Sequence, residues 1–101
     1  MAKSSEFSEN YYVKEFLTYY AGFLANLTED MKKEADENLN ELCLIDEKAK
    51  NLLTTPVYTK FKKKKSNLIK SFNEKLLQNI DDKKVLKSLD VAKESLKKFN
   101  I

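Results

Sequence analysis

The stretch LLTTPVYTK, residues 52–60, holds the only proline of the chain, and its reading decides the fold. Pro56 disfavours helix at Thr55. It also suits the first turn of a new helix, where its fixed φ is already helical and its missing N–H would have had no partner. The chain is therefore expected to divide here into two arms of nearly equal length that fold back on each other. Elsewhere punctuation is scarce. One Gly and one Pro in 101 residues compare with average usage of about 7% and 5%, so turns are few, helices are long and the fold class is all-α.

In the first arm, over 8–53, only Gly22 opposes helix, at about 1 kcal/mol relative to Ala. Placed at helical steps, Met31, Ala35, Leu42, Ile45, Ala49, Leu52 and Leu53 form an apolar stripe about 100° wide. Tyr12, Val13, Phe16, Leu17, Tyr19, Tyr20, Ala21, Phe23, Leu24 and Leu27 fill an arc about 200° wide with nearly the same centre. The matching phase predicts one continuous helix, although its length of roughly 70 Å is great for a small domain. The alternative is a break at ANLTE, residues 25–29, with Asn26 as N-cap and Glu29 at N3.

Past a turn at 54–56, Tyr58, Phe61, Leu68, Ile69, Phe72, Leu76 and Ile80 predict a helix over 57–80. Val85, Leu89, Ala92, Leu96 and Phe99 predict another over 82–99, rotated from the first. The phase jumps at IDDKK, residues 80–84, where Asp81 or Asp82 suits an N-cap. The expected fold is a single domain over 1–101: a long antiparallel helical hairpin with a shorter third helix, coiled-coil or three-helix-bundle-like.

All 19 basic residues are Lys, and there is no Arg or His. The bidentate fork that reads phosphates and base edges is missing, as is the commonest general base and metal ligand. Glu37 and Glu41 stand at i, i+4, but helical carboxylate metal sites also use His, so they read as a charged outer face. Cys43 has no His or Arg beside it to lower its pKa and reads as a packing residue. No catalytic residue, cofactor or metal site is predicted, and the chain is read as a non-enzyme. A single Cys fits a reducing compartment, no apolar leader opens the sequence, and no apolar run reaches the roughly 20 residues of a bilayer span. An intracellular, cytoplasmic protein is expected, with organelle import lacking a cleaved leader left open.

Charge is polarised along the chain. Residues 1–56 carry 6 Lys and 11 acids, net −5, and residues 57–101 carry 13 Lys and 5 acids, net +8, which together give +3. The run KFKKKKSNLIK, residues 60–70, makes Lys60, Lys62, Lys63, Lys64 and Lys65 candidate anion-binding residues. Against this, a hairpin turning at Pro56 sets Glu34, Asp36, Glu37, Glu41, Asp46 and Glu47 opposite the run, so that the charges neutralise within the chain.

The segment YYVKEFLTYYAGFLANL, residues 11–27, gathers four of the five tyrosines and two of the six phenylalanines. One neighbouring helix cannot cover so wide a face, and Tyr and Phe are enriched at interface cores. Tyr12, Phe16, Tyr19, Tyr20, Phe23 and Leu24 are therefore the expected anchors for a protein partner or a second copy. The alternative is burial by the chain's own helices. FLTYYAGFLANLT, residues 16–28, leading into a charged helix, resembles the apolar helix start of the small coiled-coil subunits of the WASH and WAVE actin-regulatory assemblies. The likeness covers roughly an eighth of the chain, and it implies a scaffold subunit without assigning any residue a role. The expected function is a non-catalytic helical subunit or adaptor in a larger assembly, with no small-molecule substrate. The alternative is a basic module that binds an anionic membrane surface or nucleic acid through residues 60–70.

Overall fold

The computed structural model describes residues 9–101, which are 88% helical with no strand among them. Four helices follow one another: α1 Glu9–Thr28, α2 Lys32–Leu52, α3 Thr55–Asn79 and α4 Lys83–Lys98. The all-α class stands. The continuous first helix does not, and neither does the three-helix arrangement built on it.

α1 ends in a tight reversal at residues 29–31. Asp30 adopts the left-handed conformation at φ 61°, the Met31 N–H donates to the Asn26 carbonyl and the Asp30 N–H to the Leu27 carbonyl. That pair of bonds is a Schellman cap, which usually employs Gly at the left-handed position. Asn26 is thus inside α1 rather than an N-cap, and α2 starts after Met31 without a side-chain cap. An unbroken helix of roughly 70 Å would also overrun a molecule whose long axis is 47 Å. The two stripes share a phase because two antiparallel helices both turn towards one core.

The other boundaries follow from residue type. α2 stops at Leu53, Thr54 precedes α3 with Pro56 in its first turn, and the Asp82 carboxylate caps α4 by accepting from the Lys84 N–H at 2.8 Å. A second Schellman cap closes α4: Asn100 has φ 55°, and the Ile101 N–H donates to the Leu96 carbonyl.

The helices alternate in direction. Tyr12 and Phe16 meet Phe61 edge to face, and Tyr20 meets Phe72 in the same way, so α3 runs parallel to α1. α4 opens beside the end of α1, where the Thr28 hydroxyl lies 3.0 Å from that of Ser88, and runs back antiparallel. α1 touches all three other helices, whereas α2 touches α3 only lightly and α3 hardly touches α4.

This central position explains the aromatic segment. Tyr12, Phe16, Tyr20, Phe23 and Leu24 are buried, Phe16 and Tyr20 completely, and Tyr19 is partly buried against the same cluster. The expected partner-facing anchors are thus the core of the chain itself. A 200° apolar arc needs more than one neighbour, and α2, α3 and α4 together supply them. Each fully buried ring contributes about 1.5–3 kcal/mol relative to exposure. The Tyr20 hydroxyl donates to Asn73 Oδ1 at 2.8 Å, which satisfies both buried polar groups. Gly22 of α1 faces α2, where a Cβ would meet the Asn38 amide nitrogen at 3.4 Å, an ordinary contact. Asn38 also accepts a hydrogen bond from the Asn26 amide, fixing the register of α1 on α2.

Candidate functional site: the lysine-rich α3–α4 face

α3 buries Phe61, Lys65, Ile69 and Asn73, a row at four-residue spacing that lies on one side of a helix. The lysine run therefore cannot act as one unit. Lys60, Lys62 and Lys63 are exposed. Lys64 reaches back to the start of α1, where its Nζ lies 2.9 Å from Glu9 Oε2 and 2.9 Å from Asn10 Oδ1. That contact holds the Glu9 carboxyl below its usual pKa.

Lys65 is taken inside, with 2% of its surface exposed. Its ammonium sits over the Phe16 ring at 4.7 Å and the Phe61 ring at 5.4 Å, and Asp46 Oδ1 lies 3.9 Å away. Burial pushes its pKa down, and the Asp46 charge works against that shift. Asp46 accepts hydrogen bonds from the Tyr58 hydroxyl at 3.2 Å to each oxygen. Burial, then the neighbouring carboxylate, push that phenol up to about 12.

Neutralisation across the hairpin is met only at Asp46. Glu34, Asp36, Glu37, Glu41 and Glu47 form no ion pair among the described residues, because α2 and α3 splay apart beyond their turn. α2 keeps an acidic outer side, while α3 and α4 together carry 13 Lys and 3 acids. Leu68, placed on the buried stripe by the wheel, is 45% exposed, and Lys65 occupies the inward position instead.

Because α3 and α4 barely meet, an open groove of about 640 Å³ lies between them. Ile69, Leu77, Leu96 and Ile101 form its apolar lining, and Lys62, Lys65, Lys70, Lys93 and Lys97 its basic part, against the single acid Glu74. Sequence reasoning missed Lys93 and Lys97. The signal was their i, i+4 spacing on α4, opposite the α3 lysines once the helices are antiparallel. It also missed the inward Lys65, although its spacing from Phe61 and Ile69 marks it.

Cys43 is half-buried, and burial followed by the nearby Asp46 charge raises its thiol pKa, so the thiolate is disfavoured. No group of three or more His, Cys, Asp or Glu able to hold a metal ion occurs among the described residues. No helix among them is long and apolar enough to cross a membrane. No protein-family model, curated protein or solved structure matches the chain. The likeness of residues 16–28 to coiled-coil scaffold subunits carries no further argument, and the site stands on its own geometry.

Proposed function

We propose that this chain is a non-catalytic helical module that docks onto an anionic membrane surface through the outer side of α3 and α4. The observation that carries this reading is the excess of 13 Lys over 3 acids on these two helices, of which only Lys64 and Lys65 pair with carboxylates among the described residues. Exposed apolar side chains stand among those lysines: Leu68 and Leu77 on α3, Leu86 and Val91 on α4. Mixed lysine and leucine is the surface that lies at a headgroup boundary, where charge attracts and short apolar groups insert. Without Arg, and with Tyr58, Phe61 and Phe72 of α3 packed into or against the core, the face has neither the fork nor the stacking platform that nucleic acid favours.

Sedimentation with vesicles of anionic phospholipid tests the reading. Each juxtamembrane Lys contributes about 1 kcal/mol, so changing Lys60, Lys62 and Lys63 to Gln should weaken binding on the order of a hundredfold, and raised salt should do likewise. Unchanged binding by the triple variant, or equal binding to neutral vesicles, would overturn it. Preference for RNA over vesicles would favour the nucleic-acid alternative. The scaffold-subunit reading keeps support from a smaller feature, the half-exposed Leu44 and Phe99 that line one surface hollow between α2 and the end of α4.

A further inference from the structure

Lys65 presents an imbalance that docking by the outer lysines does not use. Its ammonium has three N–H donors and no hydrogen-bond acceptor among the described residues. The nearest carboxylate oxygen, at 3.9 Å, is beyond hydrogen-bond reach, and the two rings offer only their π faces. Buried polar groups are nearly always bonded, and Lys65 as a whole residue is 2% exposed. No fully sealed polar atom of the described residues lacks a partner, so the ammonium keeps a narrow opening. Lys65 lines the α3–α4 groove, where a ligand can supply the acceptor.

The groove has the other half of such a ligand's chemistry. Ile69, Leu77 and Leu96 run along it beyond Lys65, and the 12 helical steps from Lys65 to Leu77 span about 18 Å at 1.5 Å per residue. Its volume of about 640 Å³ falls within the usual range of ligand sites, roughly 300–1,000 Å³. We propose that this groove binds one molecule of a long-chain fatty acid, its carboxylate on Lys65 with Lys62 beside it and its alkyl chain lying towards Leu77. Lys65 is the buried ammonium among the five lysines of the lining, and a carboxylate head matches its single charge, while the apolar lining takes the alkyl chain. The groove shares Lys62 and Leu77 with the vesicle-docking surface and adds the buried Lys65, so Lys65→Met is the variant that tells the two apart.

The test is calorimetric and NMR titration of the full chain with sodium myristate below its self-association concentration. Tetradecanol and acetate, which carry the chain and the head alone, serve as controls. One-to-one saturable binding is expected, with shifts centred on α3 and α4. Lys65→Met keeps the side-chain length and should weaken binding at least tenfold. Leu77→Glu, at a half-exposed position that cannot unfold the core, should do the same. No saturable binding of myristate, equal binding of tetradecanol or acetate, or unchanged affinity in both variants would overturn the proposal. Vesicle sedimentation of the same proteins separates the two readings. Binding to vesicles without binding to myristate sinks the groove alone, and the converse sinks the docking face alone.

Discussion

Phe16→Ala separates the two fates open to the aromatic segment. Phe16 is fully buried, meets Phe61 at 6.5 Å between ring centroids and carries the Lys65 ammonium 4.7 Å above its ring. Truncating a core Phe costs about 3–5 kcal/mol, and here the loss also removes one of the two rings that stabilise a buried cation. The whole stability of a domain this size is about 5–15 kcal/mol, so the variant should be marginal. With a urea dependence of about 2 kcal/mol per M, the midpoint followed by helical circular dichroism should fall by on the order of 2 M. Phe99→Ala, at a side chain 47% exposed, is the control and should move it by well under half as much. The reasoning fails if Phe16→Ala leaves the midpoint in place while reducing the mass of an oligomer, because Phe16 would then face a partner.

Other consequences are open to measurement. Gly22→Ala should stabilise by about 0.5–1 kcal/mol through helix propensity, since the added methyl meets Asn38 at an ordinary contact distance of 3.4 Å; a fall in the unfolding midpoint would show that the register contact does not tolerate it. Asp30→Gly should also raise the midpoint, by up to about 1 kcal/mol, because it relieves a left-handed residue; no gain would mean that the reversal is not strained. The Tyr58 phenol should titrate near 12 by ultraviolet difference spectroscopy. Its pKa is raised by folding, so its contribution is present below about 10, the ordinary value, and is lost as pH rises through the folded value. Tyr58→Phe should remove that transition. Lys65 has the opposite sense. Its pKa is lowered by folding, the unfolded chain holds more protons, and stability rises with pH between the folded value and the ordinary one. Lys65→Met should flatten that slope without unfolding the chain, since apolar replacement of a buried charge is often neutral or stabilising.

The all-α class, the turn at Pro56 and a helix cap at Asp81 or Asp82, which the structure places at Asp82, were legible because each rests on a residue whose backbone preference acts locally. The reversal at Asp30 was not, because a left-handed cap made by Asp carries no Gly or Pro to mark it, and wheel phase cannot distinguish one long helix from two that share a core. The width of the α1 arc was legible, but its meaning was not. An arc of 200° requires several neighbours, and whether these are the chain's own helices depends on tertiary arrangement. The same limit hid the site. Lys65 belongs by spacing to the Phe61–Ile69 row, yet its charge assigned it to the solvent face, and Lys93 and Lys97 join the α3 lysines only through the antiparallel return of α4.

The most direct measurement of the account is an amide NMR titration of the chain with bicelles containing anionic phospholipid. Shifts confined to exposed positions of α3 and α4, around Lys60, Lys63, Leu68 and Val91, with the α1 amides from Tyr12 to Leu24 unmoved, are the expected result. Perturbation centred on the α1 aromatic residues, or none anywhere, would contradict it.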